Sequence, residues 1–306
     1  MPKEATHISF ADRVEKGLGS EIRNEIADNL QFFRLGSIAP DMFYYSKIGK
    51  IIEVSDYMHG KDGNLTNEII LDFLVSLKRD FSSEGFSFVS GFITHCCLDI
   101  ALHPVVYYFS GNYYNEDPAE MLKARYLHRQ LETALVSEKE RKLILSDAID
   151  LSSAVDFLKR SRFFDKFDIP DADIRNSLKR QFSMDKLFRN PAAYLVMRLL
   201  SGAGIIKGGD LLGLSFSNLS MDQRKLPEEI VYKDLVSGDA IKTSLKELFS
   251  IAESTASDRI KAAFDFAKGA IGMEECSGII KGESLDMGRE GVPIDDIRFA
   301  SPIADK

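Results

Sequence analysis

The chain contains five histidines, His7, His59, His95, His103 and His128, and three of them stand beside carboxylates at helical spacing. His95, Asp99 and His103 form H-x-x-x-D-x-x-x-H, and His128 and Glu132 form H-x-x-x-E. Residues four apart on a helix share a face, with successive turns separated by about 6 Å. His95 and Asp99 therefore project side by side, and His103 follows one turn further on. Neutral imidazole offers a nitrogen lone pair near pH 7, which makes histidine the commonest metal ligand. Asp99, flanked by both histidines, has two oxygens and is placed to bridge two ions. Imidazole together with carboxylate favours zinc, then manganese or iron. The bland alternative is a hydrogen-bonded His–Asp pair without metal, with His128 and Glu132 as a solvated pair. Against it stands the setting of the motif. Gly91 to Phe109 is largely apolar, and two imidazoles and a carboxylate on one face of a buried helix need something to bind.

The elements that must position these residues read as helices. Apolar residues recur at three- and four-residue steps over Ile8–Leu18, Glu21–Phe33 and Asn67–Phe81. Phe86 to about Leu102 reads as a buried helix that ends at His103, because Pro104 biases the residue before it away from helical geometry. The apolar run is long enough to span a membrane, but its ionisable groups argue for a core helix instead. Asp117-Pro118 opens a helix to Leu135. Further helices are expected at Glu138–Ile149, Ser152–Arg162, Asp171–Phe182 and Asp185–Leu200. Ser244-Leu245-Lys246-Glu247 reads as a capping box for a long helix reaching Lys268. Few segments alternate apolar and polar, so the expected fold class is all-α. Residues 1–165 would form the metal-ligand core, with 166–306 a helical part packed on it as one structural domain. The tail from Ile279, with Gly282, Gly288, Gly291, Pro293 and Pro302, reads as irregular chain draped over the domain.

Composition narrows the function classes. The formal charge is −8, with 44% hydrophobic residues. An acidic chain is a poor broad binder of nucleic acid, which requires Lys and Arg against phosphates. Gly202–Gly213 lacks the order of a phosphate-binding loop and reads as a flexible loop. Three cysteines, two of them adjacent, do not make a disulfide framework, and no secretory signal is legible, so a cytoplasmic location is expected. Cys96 and Cys97 lie about 100° and 200° around the helix from His95 and read as core packing.

At these residues the sequence resembles the zinc-dependent phospholipase C family, in the superfamily that also holds single-strand nucleases. The matching segments are Thr6-His7, Ala39-Pro40-Asp41, His59, Gly91-x-x-x-His95-x-x-x-Asp99-x-x-x-His103-Pro104 and His128-x-x-x-Glu132. They occur in the family's order, over about residues 5 to 135, and look closest to the intracellular bacterial branch. The resemblance implies a multi-helix bundle with a zinc cluster of two to three ions in a cleft. It assigns Asp41, His59, His95 and Asp99 to a first zinc, and His103, His128 and Glu132 to a second. His7 goes to a third, with Asp99 bridging first and third. Secreted relatives complete the third site with their N-terminal amine; here removal of Met1 would expose the Pro2 amine for that place. The implied activity is hydrolysis of phosphate esters, phospholipase C-like, with Asp41 as general base. Phe43 and Tyr57, each within two residues of an implied ligand, are the candidates to line the cleft. A phosphoester, with phospholipid among the candidates, is the expected partner, without a stable nucleic-acid partner or a transmembrane segment. A nuclease or nucleotidase, and a non-catalytic helical protein with structural metals, are the competing classes.

Overall fold

The computed structural model describes residues 3–137, 139–205, 209–216 and 226–300. Among them are thirteen α-helices and one two-stranded sheet, so the all-α expectation holds. The organising element is α6, Ser83–Ser110, an almost wholly apolar helix with hardly an exposed face. Its most apolar window is 89% buried, so its hydrophobicity is spent on packing within the protein. Around it lie α1 (Glu4–Gly17), α2 (Ser20–Ala27), α3 (Leu30–Gly36), α5 (Glu68–Arg79) and α7 (Pro118–Leu135), with α12 (Leu245–Ala267) along one side. One hydrophobic cluster runs from Ile8 to Leu285 and takes in residues of both chain halves.

Two glycines set the closest crossing. A Cβ on Gly91 would lie 1.8 Å from the Phe33 carbonyl oxygen, and one on Gly36 would lie 1.9 Å from that of Phe88. Only glycine lets α3 and α6 approach backbone to backbone in this way.

Pro104 does not end the helix, contrary to the reading from the residue before it; α6 continues to Ser110. Packing on both sides holds the helix through the proline, and the turn at Gly288 covers the Ile100 carbonyl that proline leaves without its helical partner. A Cβ on Gly288 would stand 3.2 Å from that oxygen and 3.5 Å from Pro104 Cγ, and its φ of +66° also suits glycine. The expected helix Glu21–Phe33 is broken at Asp28-Asn29, where the Asn29 side chain takes the Glu25 carbonyl at 3.1 Å and competes with the helical ladder. Glu138–Ile149 is no continuous helix. Ser137 and Glu140 cap each other, a short 3-10 turn covers Glu140–Lys142, and only α8 (Leu145–Ala148) follows; Glu138 is outside the described residues. The expected pair in residues 171–200 divides later, at Asn190, whose side chain caps α11 (Pro191–Gly202) after α10 (Asp171–Arg189). Asp117 and Ser244 cap α7 and α12 at the expected places.

The sheet is a hairpin, β1 (Ile230–Lys233) against β2 (Ala240–Thr243), antiparallel with Ile230 opposite Thr243. Residues 209–214, read as flexible loop, form a 3-10 turn seated on α7, where Thr133 Oγ1 donates to the Gly213 carbonyl at 2.8 Å. Between α13 (Met273–Ile279) and residue 300 the chain forms no further α-helix, only a 3-10 turn at Ile294–Asp296, and it returns to the core as a strap closed by a bridge between Glu283 and Glu290.

Candidate metal centre

Each candidate ligand is delivered by a different local device. His7 sits one turn into α1, and its ring stacks on that of His95 with centroids 3.9 Å apart. Asp41 follows the Ala39-Pro40 turn and precedes a 3-10 turn, Met42–Tyr45. Ser55 of α4 (Gly49–Met58) donates to the Pro40 carbonyl at 2.6 Å, which ties that turn to the helix ending at His59. His95, Asp99 and His103 line one face of α6. His128 and Glu132 line the facing side of α7, which runs back along α6 after the turn at Gly111, φ +95°. All eight are buried, none more than 3% exposed.

Asp99 is the centre. Its Oδ2 lies 3.1 Å from His95 Nε2 and 3.7 Å from His59 Nε2. Its Oδ1 lies 3.4 Å from His7 Nε2 and 3.7 Å from His103 Nε2. Asp41 Oδ1 stands 3.2 Å from His59 Nε2 and 3.6 Å from His95 Nε2. Glu132 Oε1 stands 2.9 Å from His128 Nε2 and 3.5 Å from His103 Nε2. The ligand atoms fall into three groups with the spacing of a metal site: His7/His95/Asp99, Asp41/His59/His95 and His103/His128/Glu132.

The tautomers are set from behind. His59 Nδ1 donates to the Ser55 carbonyl at 2.7 Å, and His95 Nδ1 to the Ser37 carbonyl at 2.9 Å. A carbonyl only accepts, so each Nδ1 carries the proton and each Nε2 turns its lone pair inward. His103 Nδ1 is 3.1 Å from the Leu285 carbonyl and 3.3 Å from Asp286 Oδ1. Behind His128 the Ser110 hydroxyl stands at 3.5 Å. Meanwhile Nε2 of His7, His59, His95 and His103, and Oδ1 and Oδ2 of Asp99, find no hydrogen-bond partner although buried. Buried polar atoms are nearly always satisfied, and so many converging lone pairs fit zinc, which takes N and O donors from His, Asp and Glu.

The electrostatics of the metal-free protein follow from this crowding. Burial, reinforced by His95, drives the His7 imidazole down to about 3. Burial also opposes charge on His59, but the Asp41 carboxylate, 3.2 Å from its Nε2, outweighs it and brings the ring up to about 9. His95 is raised, against burial, by Asp99 and Asp41. Asp99 is held well below the usual carboxylate range, against burial, by His103, His95 and His7.

A sequence profile described as "Zinc dependent phospholipase C" matches residues 6–183. The chain belongs to the zinc-dependent phospholipase C family. No curated protein and no solved structure matches it. The matched segment carries all eight of the family-type residues described above. Met1 and Pro2, which would bring an N-terminal amine to His7, are outside the described residues.

Phe43 and Tyr57 are engaged by residues other than the candidate ligands. Phe43 is fully buried, with its ring on Phe164, because the 3-10 turn points it into the core. Tyr57 directs its hydroxyl to Glu68 and its ring to Phe167. The aromatics beside the site are Tyr44, with its ring 5.3 Å from that of His59, and Tyr107 and Tyr113, at 4.7 and 5.2 Å from that of His128. Cys96 and Cys97 are buried, free thiols in the core. Sequence reasoning missed Asp286, a carboxylate in a glycine-rich tail with no histidine at helical spacing to mark it. It also missed the Ser37, Ser55 and Leu285 carbonyls, which no side chain advertises.

Proposed function

We propose that this protein is a zinc-dependent phosphodiesterase of phospholipase C type, with His7, Asp41, His59, His95, Asp99, His103, His128 and Glu132 holding two to three zinc ions. The observation that carries this reading is the set of buried, hydrogen-bond-orphaned imidazole and carboxylate atoms around Asp99. Zinc bound there supplies a Lewis acid for phosphate oxygens and acidifies a nearby water. The protein's own contribution is to hold Nε2 of His59, His95 and His103 toward a common centre and to keep that centre dry. Asp41, held below the usual carboxylate range despite burial by His95 and His59, is ionised at neutral pH and is the group to accept a proton from the attacking water. The net charge of −8 favours small or lipid phosphoesters over polynucleotides.

The burial of all eight residues supports a second reading, closed structural metal sites in a non-catalytic helical protein. Metal analysis of the purified protein with a hydrolysis panel separates the two. The panel comprises phosphatidylcholine, bis-p-nitrophenyl phosphate, p-nitrophenyl phosphate and single-stranded DNA. The enzyme reading expects bound zinc and diester hydrolysis lost on chelation and in His95→Ala. Full zinc occupancy with no turnover of any of the four substrates would move the assignment to structural metal.

A further inference from the structure

The strap after α13 reaches the centre from outside the segment that matches the family, and it is anchored there at several points. Leu285 N donates to the His59 carbonyl at 2.9 Å, and Ser284 Oγ to the same oxygen at 3.3 Å. Thr66 Oγ1 donates to the Glu283 carbonyl at 2.6 Å, and Arg259 grips the Glu283 carboxylate with contacts of 2.7 and 2.9 Å. Ser284, Leu285, Asp286 and Met287 are all buried. The Asp286 side chain, 6% exposed, has no Lys or Arg within ion-pair distance among the described residues; its ionic neighbour is His103 Nδ1 at 3.3 Å. A buried carboxylate without a cation is costly, so its place asks for a positive charge nearby.

His103 is also distinguished from the other histidines. Behind His59 and His95 stand neutral carbonyls, and behind His128 a hydroxyl. His103 has the Asp286 carboxylate 3.3 Å from its outer nitrogen. It belongs to the group whose own carboxylate is Glu132 alone, whereas Asp41 and Asp99 both face His59 and His95. A carboxylate behind a ligating imidazole fixes its tautomer and raises its basicity as a ligand.

We infer that Asp286 is a positioning residue for the metal centre: its carboxylate, 3.3 Å from the Nδ1 that His103 turns to the Leu285 carbonyl, favours that tautomer and strengthens the hold of Nε2 on the ion shared with His128 and Glu132. This rests on the reading of His103 as a zinc ligand. The test uses the full chain, zinc-loaded, as parent, Asp286→Ala and Asp286→Asn. Zinc affinities come from competition with a chromogenic chelator, and the His103 Nδ1–H resonance is followed by NMR. Asp286→Ala is expected to weaken one zinc by about 10- to 100-fold and to move the Nδ1–H resonance upfield, while the other zinc holds. Asp286→Asn, which keeps an acceptor oxygen without the charge, falls between parent and alanine variant and carries the test if the alanine variant does not fold. Parent-like affinity and resonance in the variants, or a lowered melting temperature of the metal-free protein with unchanged affinity, overturns the inference alone. A parent that binds no zinc overturns the proposed function and the inference with it.

Discussion

At the residue scale the centre is an arrangement of lone pairs around one carboxylate. Asp99 offers one oxygen to His59 and His95 and the other to His7 and His103. Asp99→Ala is therefore expected to lose at least about one zinc equivalent, read by elemental analysis after gel filtration. The histidines also make stability depend on pH when zinc is removed. His59 is raised from 6.5 to about 9, so its contribution is complete below pH 6.5 and is lost as pH rises through 9. His7 is lowered from 6.5 to about 3, so its contribution is complete above pH 6.5 and is lost as pH falls toward 3. Urea unfolding of chelator-treated protein should show greatest stability near pH 6.5, declining on both sides. A profile still rising at pH 9 would mean that His59 is not held charged by Asp41. His95, Asp99 and His103 stood out because imidazole and carboxylate at four-residue steps have few other uses on an apolar helix, whereas His7, Asp41 and His59 carry no such spacing and came only from the family resemblance. Asp286 was illegible, because it meets His103 through a chain reversal that no local spacing encodes.

At the element scale the site depends on how closely helices approach. The Gly36–Gly91 crossing brings the Ser37 carbonyl to His95 Nδ1 at 2.9 Å. Gly91→Ala would place a methyl group inside the van der Waals radius of a backbone oxygen and force α3 away from α6. A loss of about 3 kcal/mol in denaturant unfolding is expected, with weakened zinc binding as His95 loses its anchor. Ser55→Ala removes the 2.6 Å bond to the Pro40 carbonyl and should cost about 1–2 kcal/mol by the same measurement. Helix existence was legible wherever capping chemistry was clear, as at Asp117 and Ser244. It failed where side chains compete for the backbone, at Asn29 and at Ser137 with Glu140, and where tertiary packing carries a helix through Pro104.

At the scale of the whole molecule, the proposed zinc would supply counter-charge that lysine and arginine do not supply to Asp41 and Asp99 among the described residues. Aspartates and histidines from α1, α4, α6, the Pro40 turn and α7 converge on a volume with no lysine or arginine partner for Asp41 or Asp99 among the described residues. Chelation should lower the melting temperature by about 10 °C, the shift expected when a ligand at about a thousand times its Kd is withdrawn. An unchanged melting temperature with zinc demonstrably removed would show that the fold does not rely on the metal. The strap adds an order of events. Synthesis delivers His7 first and the carbonyl of Leu285, which holds His103, among the last parts of the centre. The histidine face of α6 is thus made before the segment that fixes one of its rings. On the proposed reading, a chain ending short of the strap would carry the histidine face of α6 without the carbonyl that holds the His103 ring.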